Sequence, residues 1–140
     1  MTLVLDASMS LAWLLVRKDL GEAELAREAL KEVRGSGAMV PALWYPEVGN
    51  ALLLAERQRV ITAQDSASFL SSLSFWGIAQ DPVPPALTLT ESILLGRMHN
   101  LTAYDATYIA LAEAMNAVLY TSDEKLCKGH RARVVLFTRR

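Results

Sequence analysis

The sequence is poor in the residues that build disulfides and soft metal sites. Its 140 residues include one cysteine, Cys127, and two histidines. A single cysteine excludes an internal disulfide and a thiolate cage for zinc. A chain without disulfides is typical of a reducing compartment, so we expect a cytoplasmic protein.

Excess charge of one sign and long apolar runs are also lacking. The formal net charge is −1, so an anionic partner would have to be held by a local patch or by bound cations. No apolar stretch reaches the roughly 18 residues that a transmembrane helix needs. The opening residues 2 to 5 (TLVL) also lack the basic segment of a signal peptide. We therefore expect no membrane segment.

What is present is the pattern of one globular α/β domain over residues 1–140. Hydrophobic residues make up 52% and charged residues 21% of the chain, a balance that favours a packed core. Short apolar runs predict strands at 3–5, 38–40, 78–83, 118–120 and 134–137. Helical patterns predict helices at 9–16, 21–34, 41–59, 62–75, 86–98 and 105–116, with a short helix near 123–128. This alternation predicts a central, mostly parallel sheet with helices on both faces. Thr62 and Asp65 are spaced as a helix-capping pair, although Asp replaces the usual Glu or Gln.

Four of the fifteen acidic residues resist an ordinary explanation as surface or turn residues. Asp6 and Asp123 follow predicted strands, whereas Glu47 and Asp105 lie where helices are predicted to begin. In a parallel α/β domain, ligand sites lie beyond the carboxyl ends of the strands. We therefore expect these four carboxylates to converge at one end of the sheet.

Each of these acids also has a purely structural explanation. Asp6, Asp105 and Asp123 could cap the helices that follow them, and Glu47 would gain from a helix dipole. Taken singly, such explanations are preferable for Asp105 and Asp123. Taken together, they must account separately for four acids in apolar surroundings. Clustered carboxylates are stable only when they are protonated or neutralised by cations, and oxygen ligands favour Mg²⁺ or Mn²⁺.

Four stretches carrying these acids resemble the PIN-domain family, specifically the VapC-like toxins of bacterial and archaeal toxin–antitoxin systems. They are LVLDAS at 3–8, PEVGNAL at 46–52, AYDATYIALAEA at 103–114 and LYTSDEKL at 119–126. They occur in the family's order and span nearly the whole chain. None of the four acidic positions departs from the family pattern.

The resemblance implies a three-layer PIN-like fold and a metal-dependent endoribonuclease. Asp6, Glu47, Asp105 and Asp123 match the family's metal-binding acids by position, with Asp6 and Asp105 as the central ligands. The implied reaction is hydrolysis of RNA by a metal-activated water, without a covalent intermediate, with Mg²⁺ or Mn²⁺ as cofactor. The family also implies a homodimer and a small antitoxin that covers the active site.

Three polar residues are candidates for orienting those carboxylates. Ser8, Asn50 and Thr121 match positions around the acids, and Asn50 lies one helical turn from Glu47. For Asn50, an ordinary surface amide is an alternative.

Basic residues close behind Asp123 are candidate RNA contacts. They are Lys125, Lys128, His130, Arg131 and Arg133, which could hold phosphates beside the metal. The alternative is a solvated C-terminal face. Trp13, Trp44 and Tyr45 could stack on bases, but their apolar helical runs favour core or interface packing.

Other functions remain open at this point. Asp6 could be the phosphorylated nucleophile of a phosphotransfer domain, yet the haloacid-dehalogenase pattern needs a second Asp where Ser8 stands. A receiver-like domain would need an early acidic pair and a later functional lysine, and neither can be placed. A non-toxin PIN nuclease and a non-catalytic PIN-like binding module are further alternatives. Loss of one of the four acids would have favoured the binding module, and all four are present.

Overall fold

The structure is a computed structural model that describes residues 2–8, 12–14, 20–127 and 133–136. Within these ranges the strands are β1 (Leu3–Leu5), β2 (Ala38–Val40), β3 (Ile78–Gln80), β4 (Val118–Thr121) and β5 (Arg133–Leu136). The α-helices are α1 (Leu20–Ser36), α2 (Trp44–Arg57), α3 (Ala63–Leu73), α4 (Pro85–His99) and α5 (Ala103–Ala114). A short 3₁₀ helix follows β4 at Glu124–Cys127. No helix in the described ranges is both long enough and apolar enough to cross a membrane.

The five strands form one sheet in the order β3-β2-β1-β4-β5. Every pairing is parallel, and β1 sits in register with both neighbours, Val4 opposite Met39 on one side and Leu119 on the other. All residues of β1 and β4 are buried, because central strands of a parallel sheet are covered on both faces. The predicted α/β fold with a central parallel sheet is therefore confirmed.

Element boundaries differ from the predictions where proline and turn residues interrupt a pattern. The strand predicted over 78–83 ends at Gln80, since the prolines that follow cannot donate to a strand ladder. The helix predicted from 41 begins at Trp44, whose backbone N–H donates to the Pro41 carbonyl at 2.9 Å. Residues 9–11 and 15–16 of the helix predicted over 9–16 lie outside the described residues.

The capping pair predicted at the start of α3 is confirmed. The Asp65 backbone N–H donates to Thr62 Oγ1 at 3.1 Å, and the Thr62 backbone N–H donates to Asp65 Oδ2 at 2.9 Å. Two backbone donors that a helix start leaves unpaired are thereby satisfied.

Among the described helices, α5 packs most completely into the core. Its residues Ala106 and Tyr108 to Ala112 are buried, and it contacts α4, β1 and β4. Alanines at Ala106, Ala110 and Ala112 let the neighbouring elements approach closely, since a methyl group occupies little space. This packing holds the amino-terminal turn of α5 beside the carboxyl ends of β1 and β4.

The start of β2 depends on two glycines that approach each other. Gly37 has φ +72° and Gly77 has φ +65°, a region that L-residues with a side chain rarely adopt. A Cβ on Gly37 would lie 3.0 Å from the Gly77 carbonyl oxygen, which accepts a hydrogen bond from the Ala38 backbone N–H at 3.1 Å. The contact aligns β2 with β3.

We expect Gly37→Ala to lower the free energy of unfolding by about 1–2 kcal/mol, because it forces a side chain into a left-handed conformation. Gly35→Ala is the matched control, since a Cβ at Gly35 meets nothing within 4 Å. In the last turn of α1 that substitution should be neutral or stabilising by up to about 1 kcal/mol. Urea denaturation measures the free energy of unfolding of both variants. Equal changes in the two variants would contradict the requirement for glycine at position 37.

Candidate active site

The candidate site lies where the strand order of the sheet reverses. The chain places β2 and β3 on one side of β1 and β4 on the other, and ligand sites of parallel sheets form at such a point. Leu5 pairs with Tyr120 at the ends of these two strands. The next residue, Asp6, donates its backbone N–H to the Tyr120 carbonyl at 3.1 Å. The backbone therefore fixes Asp6 at the carboxyl end of the sheet.

Both carboxylate oxygens of Asp6 accept hydrogen bonds, although the residue is only 5% exposed. Ser8 Oγ donates to Oδ1 at 2.5 Å, and the buried Thr121 hydroxyl donates to Oδ2. Each hydroxyl is in turn an acceptor: Thr121 Oγ1 accepts the Asp123 backbone N–H at 2.9 Å, and Ser8 Oγ accepts the Ser122 backbone N–H at 3.4 Å. These bonds compensate the burial of a carboxylate and join the end of β1 to the segment after β4.

Glu47 reaches the site from the first turn of α2, where it is half-buried. Its Oε1 accepts a hydrogen bond from the Tyr108 hydroxyl at 2.6 Å. Burial raises the pKa of Glu47, and the negative charges of Asp6 and Asp105 raise it further. The Tyr108 hydrogen bond acts in the opposite direction, because it stabilises the ionised carboxylate.

Asp105 lies in the first turn of α5 rather than at its N-cap. Thr102 is the N-cap, and its Oγ1 accepts the Asp105 backbone N–H at 3.1 Å. The explanation of Asp105 as a helix cap is therefore wrong. Burial raises the pKa of Asp105, and the charge of Asp123 adds to the rise, whereas Thr102 and the positive charge of Lys125 lower it.

Asp123 does serve the segment that follows it. Its Oδ1 accepts the Lys125 backbone N–H at 3.0 Å, and its carbonyl accepts the Leu126 backbone N–H at 3.2 Å. The side chain thus caps the 3₁₀ helix Glu124–Cys127, as the structural explanation holds. Because Asp123 also acts electrostatically on Asp105, capping and participation in the acidic site are compatible.

The four acids lie close enough together for their charges to interact. The negative charges of Asp6 and Asp105 raise the pKa of Glu47, and the negative charge of Asp123 raises the pKa of Asp105. In the described part of the chain, however, no three His, Cys, Asp or Glu side chains come close enough together to hold a metal ion. The four side chains still have the chemistry of a hard-cation site, because all of them are carboxylates. Mg²⁺ commonly uses one or two carboxylates and keeps several waters, which agrees with this loose arrangement.

The other sequence-predicted residues are placed unevenly around the acids. Asn50 is exposed on α2, and within the described residues its side chain makes no hydrogen bond. Lys125 is exposed, and its positive charge lowers the pKa of Asp105. Lys128, His130 and Arg131 lie outside the described residues, and of Arg133 only the backbone, in β5, is described.

The aromatic residues pack as expected for Trp44, which is 1% exposed. Tyr45 is partly exposed and contacts the Trp44 ring edge to face, with ring centres 5.0 Å apart. Trp13 makes a similar contact with Trp76 at 5.1 Å. Trp44 is therefore a core residue and cannot stack on a base.

Sequence reasoning missed Tyr108 as a member of the site. Tyr108 is 2% exposed and lies in the apolar run of α5, where an aromatic residue is ordinarily read as core. Its position three residues after Asp105 was the available signal, since residues at that spacing share a face of a helix. Its partner Glu47 lies 61 residues away in the chain, so the contact depends on tertiary packing.

This fold and this acidic site define a PIN domain. The family model of the PIN domain matches residues 3–131, and the chain belongs to that family.

Its relatives include three ribonucleases of similar length. The chain is 38% identical over 127 residues to VapC ribonuclease Mb0985 of Mycobacterium bovis and to ribonuclease VapC9 of Mycobacterium tuberculosis, covering 89% of this chain and 87% of each relative. It is 30% identical over 134 residues to ribonuclease VapC3 of Pyrobaculum aerophilum, covering 96% of this chain and 98% of the relative. The predicted resemblance to VapC-like PIN proteins is thus confirmed.

A solved structure has the same architecture. The crystal structure of PAE2754 from Pyrobaculum aerophilum superposes with a TM-score of 0.69 and 26% identity, covering 96% of this chain and 83% of that one.

We expect Glu47→Gln to raise the melting temperature at pH 7 in the presence of EDTA. A carboxyl whose pKa is raised by folding destabilises the native state once the pH exceeds its ordinary value of 4.5. Because Glu47 is half-exposed, the gain should stay below about 1 kcal/mol, or about 2–4 °C. The gain should shrink as the pH falls towards 4.5, where wild-type Glu47 becomes protonated.

Glu28→Gln is the control for a carboxylate that is exposed on α1. Glu28→Gln should leave the melting temperature unchanged at pH 7 and as the pH falls towards 4.5. Destabilisation by Glu47→Gln at pH 7 would contradict the repulsion among the site acids.

Proposed function

We propose that this chain is the toxin of a toxin–antitoxin pair and acts as a Mg²⁺- or Mn²⁺-dependent endoribonuclease on RNA. One observation carries the proposal: coupled carboxylates lie at the switch point of the sheet in a chain whose full-length relatives are named ribonucleases. Hydrolysis of a phosphodiester requires a nucleophilic water and stabilisation of a leaving oxygen. Neither role needs a serine or cysteine nucleophile.

The donor set supports a divalent cation at this site. Glu47 and Asp105 have raised pKa values because each is partly buried near other acids. A cation among them would remove that repulsion, and hard oxygen donors suit Mg²⁺ or Mn²⁺. We assign Asp6 and Asp105 as the central ligands, with Glu47 and Asp123 completing the site directly or through water.

The residues of the chain then have distinct tasks. Ser8 and Thr121 hold the Asp6 carboxylate in one orientation through their hydroxyl donors, as groups around a metal ligand commonly do. Lys125 provides positive charge beside Asp105 and is suited to contact an RNA phosphate. The bound cation would supply activation of water and stabilisation of the leaving oxygen. For Asn50, the exposed position gives no support to a role in orienting Glu47.

The partners follow from the same proposal. We infer a small cognate antitoxin that covers the acidic site, and a cytoplasmic location where RNA is present. A homodimer is supported by exposed apolar side chains on α4, namely Leu87, Leu94 and Met98. Apolar surface of this kind is typical of an interface.

The residues around Asp6 disfavour the phosphotransfer alternative. The haloacid-dehalogenase pattern needs a second Asp where Ser8 stands. In this chain the Ser8 hydroxyl donates a hydrogen bond to Asp6 Oδ1.

We expect the purified protein to cleave RNA only when Mg²⁺ or Mn²⁺ is present. Asp6→Asn and Asp105→Asn should each reduce cleavage by about 100-fold or more, since loss of a ligand should exceed the 10–100-fold effect of losing a group around one. Glu28→Gln is the control for loss of a remote carboxylate. Cleavage ends are read by RNA sequencing and the fold by circular dichroism.

Two results would contradict the proposal in different ways. Cleavage in EDTA would exclude a metal-dependent reaction. Absence of cleavage with bound metal would favour the non-catalytic binding module.

Binding of the cation should be visible without any substrate. Excess Mn²⁺ at about 100 times its Kd should stabilise the native state by about 2.7 kcal/mol, or about 5–10 °C. Asp105→Asn should lose most of this shift, and Glu28→Gln should retain it. Differential scanning fluorimetry with and without Mn²⁺ measures the effect, and an equal shift in both variants would place the cation elsewhere.

A further inference from the structure

Tyr108 joins the three elements that carry the acids on this side of the site. It lies in α5, three residues after Asp105, and its hydroxyl donates to Glu47 Oε1 at 2.6 Å. The Ala7 backbone, directly after Asp6, also acts on this hydroxyl and lowers the Tyr108 pKa against the effect of burial. The phenol therefore sits between β1, α2 and α5.

The support given to Glu47 differs from the support given to Asp6. Asp6 has a hydroxyl donor on each oxygen, Ser8 on Oδ1 and Thr121 on Oδ2. Among the described residues, Tyr108 is the single hydrogen-bond donor to the Glu47 side chain, and it occupies Oε1 alone. Oε2 accepts no hydrogen bond from any residue that the structure describes, so its lone pairs are available to another partner there.

Burial of Tyr108 keeps its hydroxyl in position to donate to Glu47 Oε1. Tyr108 is 2% exposed, so its ring is fixed by packing and its hydroxyl cannot turn away to bulk water. Glu47 is half-buried at the start of α2, and a glutamate side chain has three rotatable bonds that a single short hydrogen bond can restrain. A restrained carboxylate loses less entropy when it binds a cation.

We propose that Tyr108 is a positioning residue for Glu47, which holds Oε1 so that Oε2 is presented to a divalent cation at the acidic site. The proposal rests on the metal site inferred above. It assigns to α5 a second task besides carrying Asp105, namely fixing an acid that belongs to a different helix.

The test uses Tyr108→Phe, which keeps the ring and removes the donor. Mn²⁺ affinity is measured on the full chain by the electron paramagnetic resonance signal of free Mn²⁺, without RNA. We expect the Kd for Mn²⁺ to rise about tenfold or more. Tyr104→Phe is the matched control, because it makes the same change on the same helix at an exposed position, and its Kd should equal that of the wild type.

A double-mutant cycle with Glu47→Gln separates positioning from general loosening of the fold. If Tyr108 acts through Glu47, Tyr108→Phe should change the Kd less than twofold once Glu47 is an amide. An independent effect would multiply the two changes and overturn the proposal. A lowered melting temperature with an unchanged Mn²⁺ Kd would also overturn it, since it would reduce Tyr108 to a packing role.

Failure of this inference is distinguishable from failure of the proposed function. If the wild type binds no Mn²⁺, the metal site itself is wrong. If the wild type binds Mn²⁺ and Tyr108→Phe binds it equally well, only the role of Tyr108 is wrong.

Discussion

Repulsion among carboxylates at the end of the sheet is the constraint on which the rest of the structure depends. Glu47 and Asp105 have raised pKa values because each is partly buried and faces other acids. Replacement of one of these carboxylates by the corresponding amide would remove part of this repulsion. The packing that holds the acids together must therefore offset an unfavourable interaction, which is the situation expected of a site whose ligand completes it.

The scaffold offsets that repulsion by bringing the acids from independent elements. Asp6 is fixed by the backbone of β4, Glu47 by the first turn of α2 and Asp105 by the first turn of α5. Each helix directs its positive dipole end towards its own acid. The parallel sheet makes this arrangement available, because parallel strands place all their carboxyl ends at one edge.

The sequence predicted the strands well, because short apolar runs are local signals, whereas the role of the four acids as the functional site stays a prediction. Buried apolar triplets such as Leu3–Leu5 and the alternation with helices identify a parallel sheet. The cap of α5 was misassigned to Asp105, since Thr102 three residues earlier is an equally good cap and only geometry decides between them. The Tyr108–Glu47 bond was missed because an aromatic residue in an apolar helix gives no sign of a polar partner 61 residues away. The convergence of the acids was predicted, but their spacing depends on side-chain packing that one sequence does not encode visibly.

The hydrogen bonds that the Ser8 and Thr121 hydroxyl groups make with Asp6 have a fixed donor direction. Each hydroxyl has a single hydrogen, and the Asp123 and Ser122 amides point their own hydrogens at the oxygens of Thr121 and Ser8. Both hydroxyl hydrogens must therefore point at the Asp6 carboxylate. The two peptide groups after β4 thus determine the direction of both hydrogen bonds that end on Asp6. The orientation of a side chain at the end of one strand is therefore set by the backbone that follows its neighbour, 115 residues away along the chain.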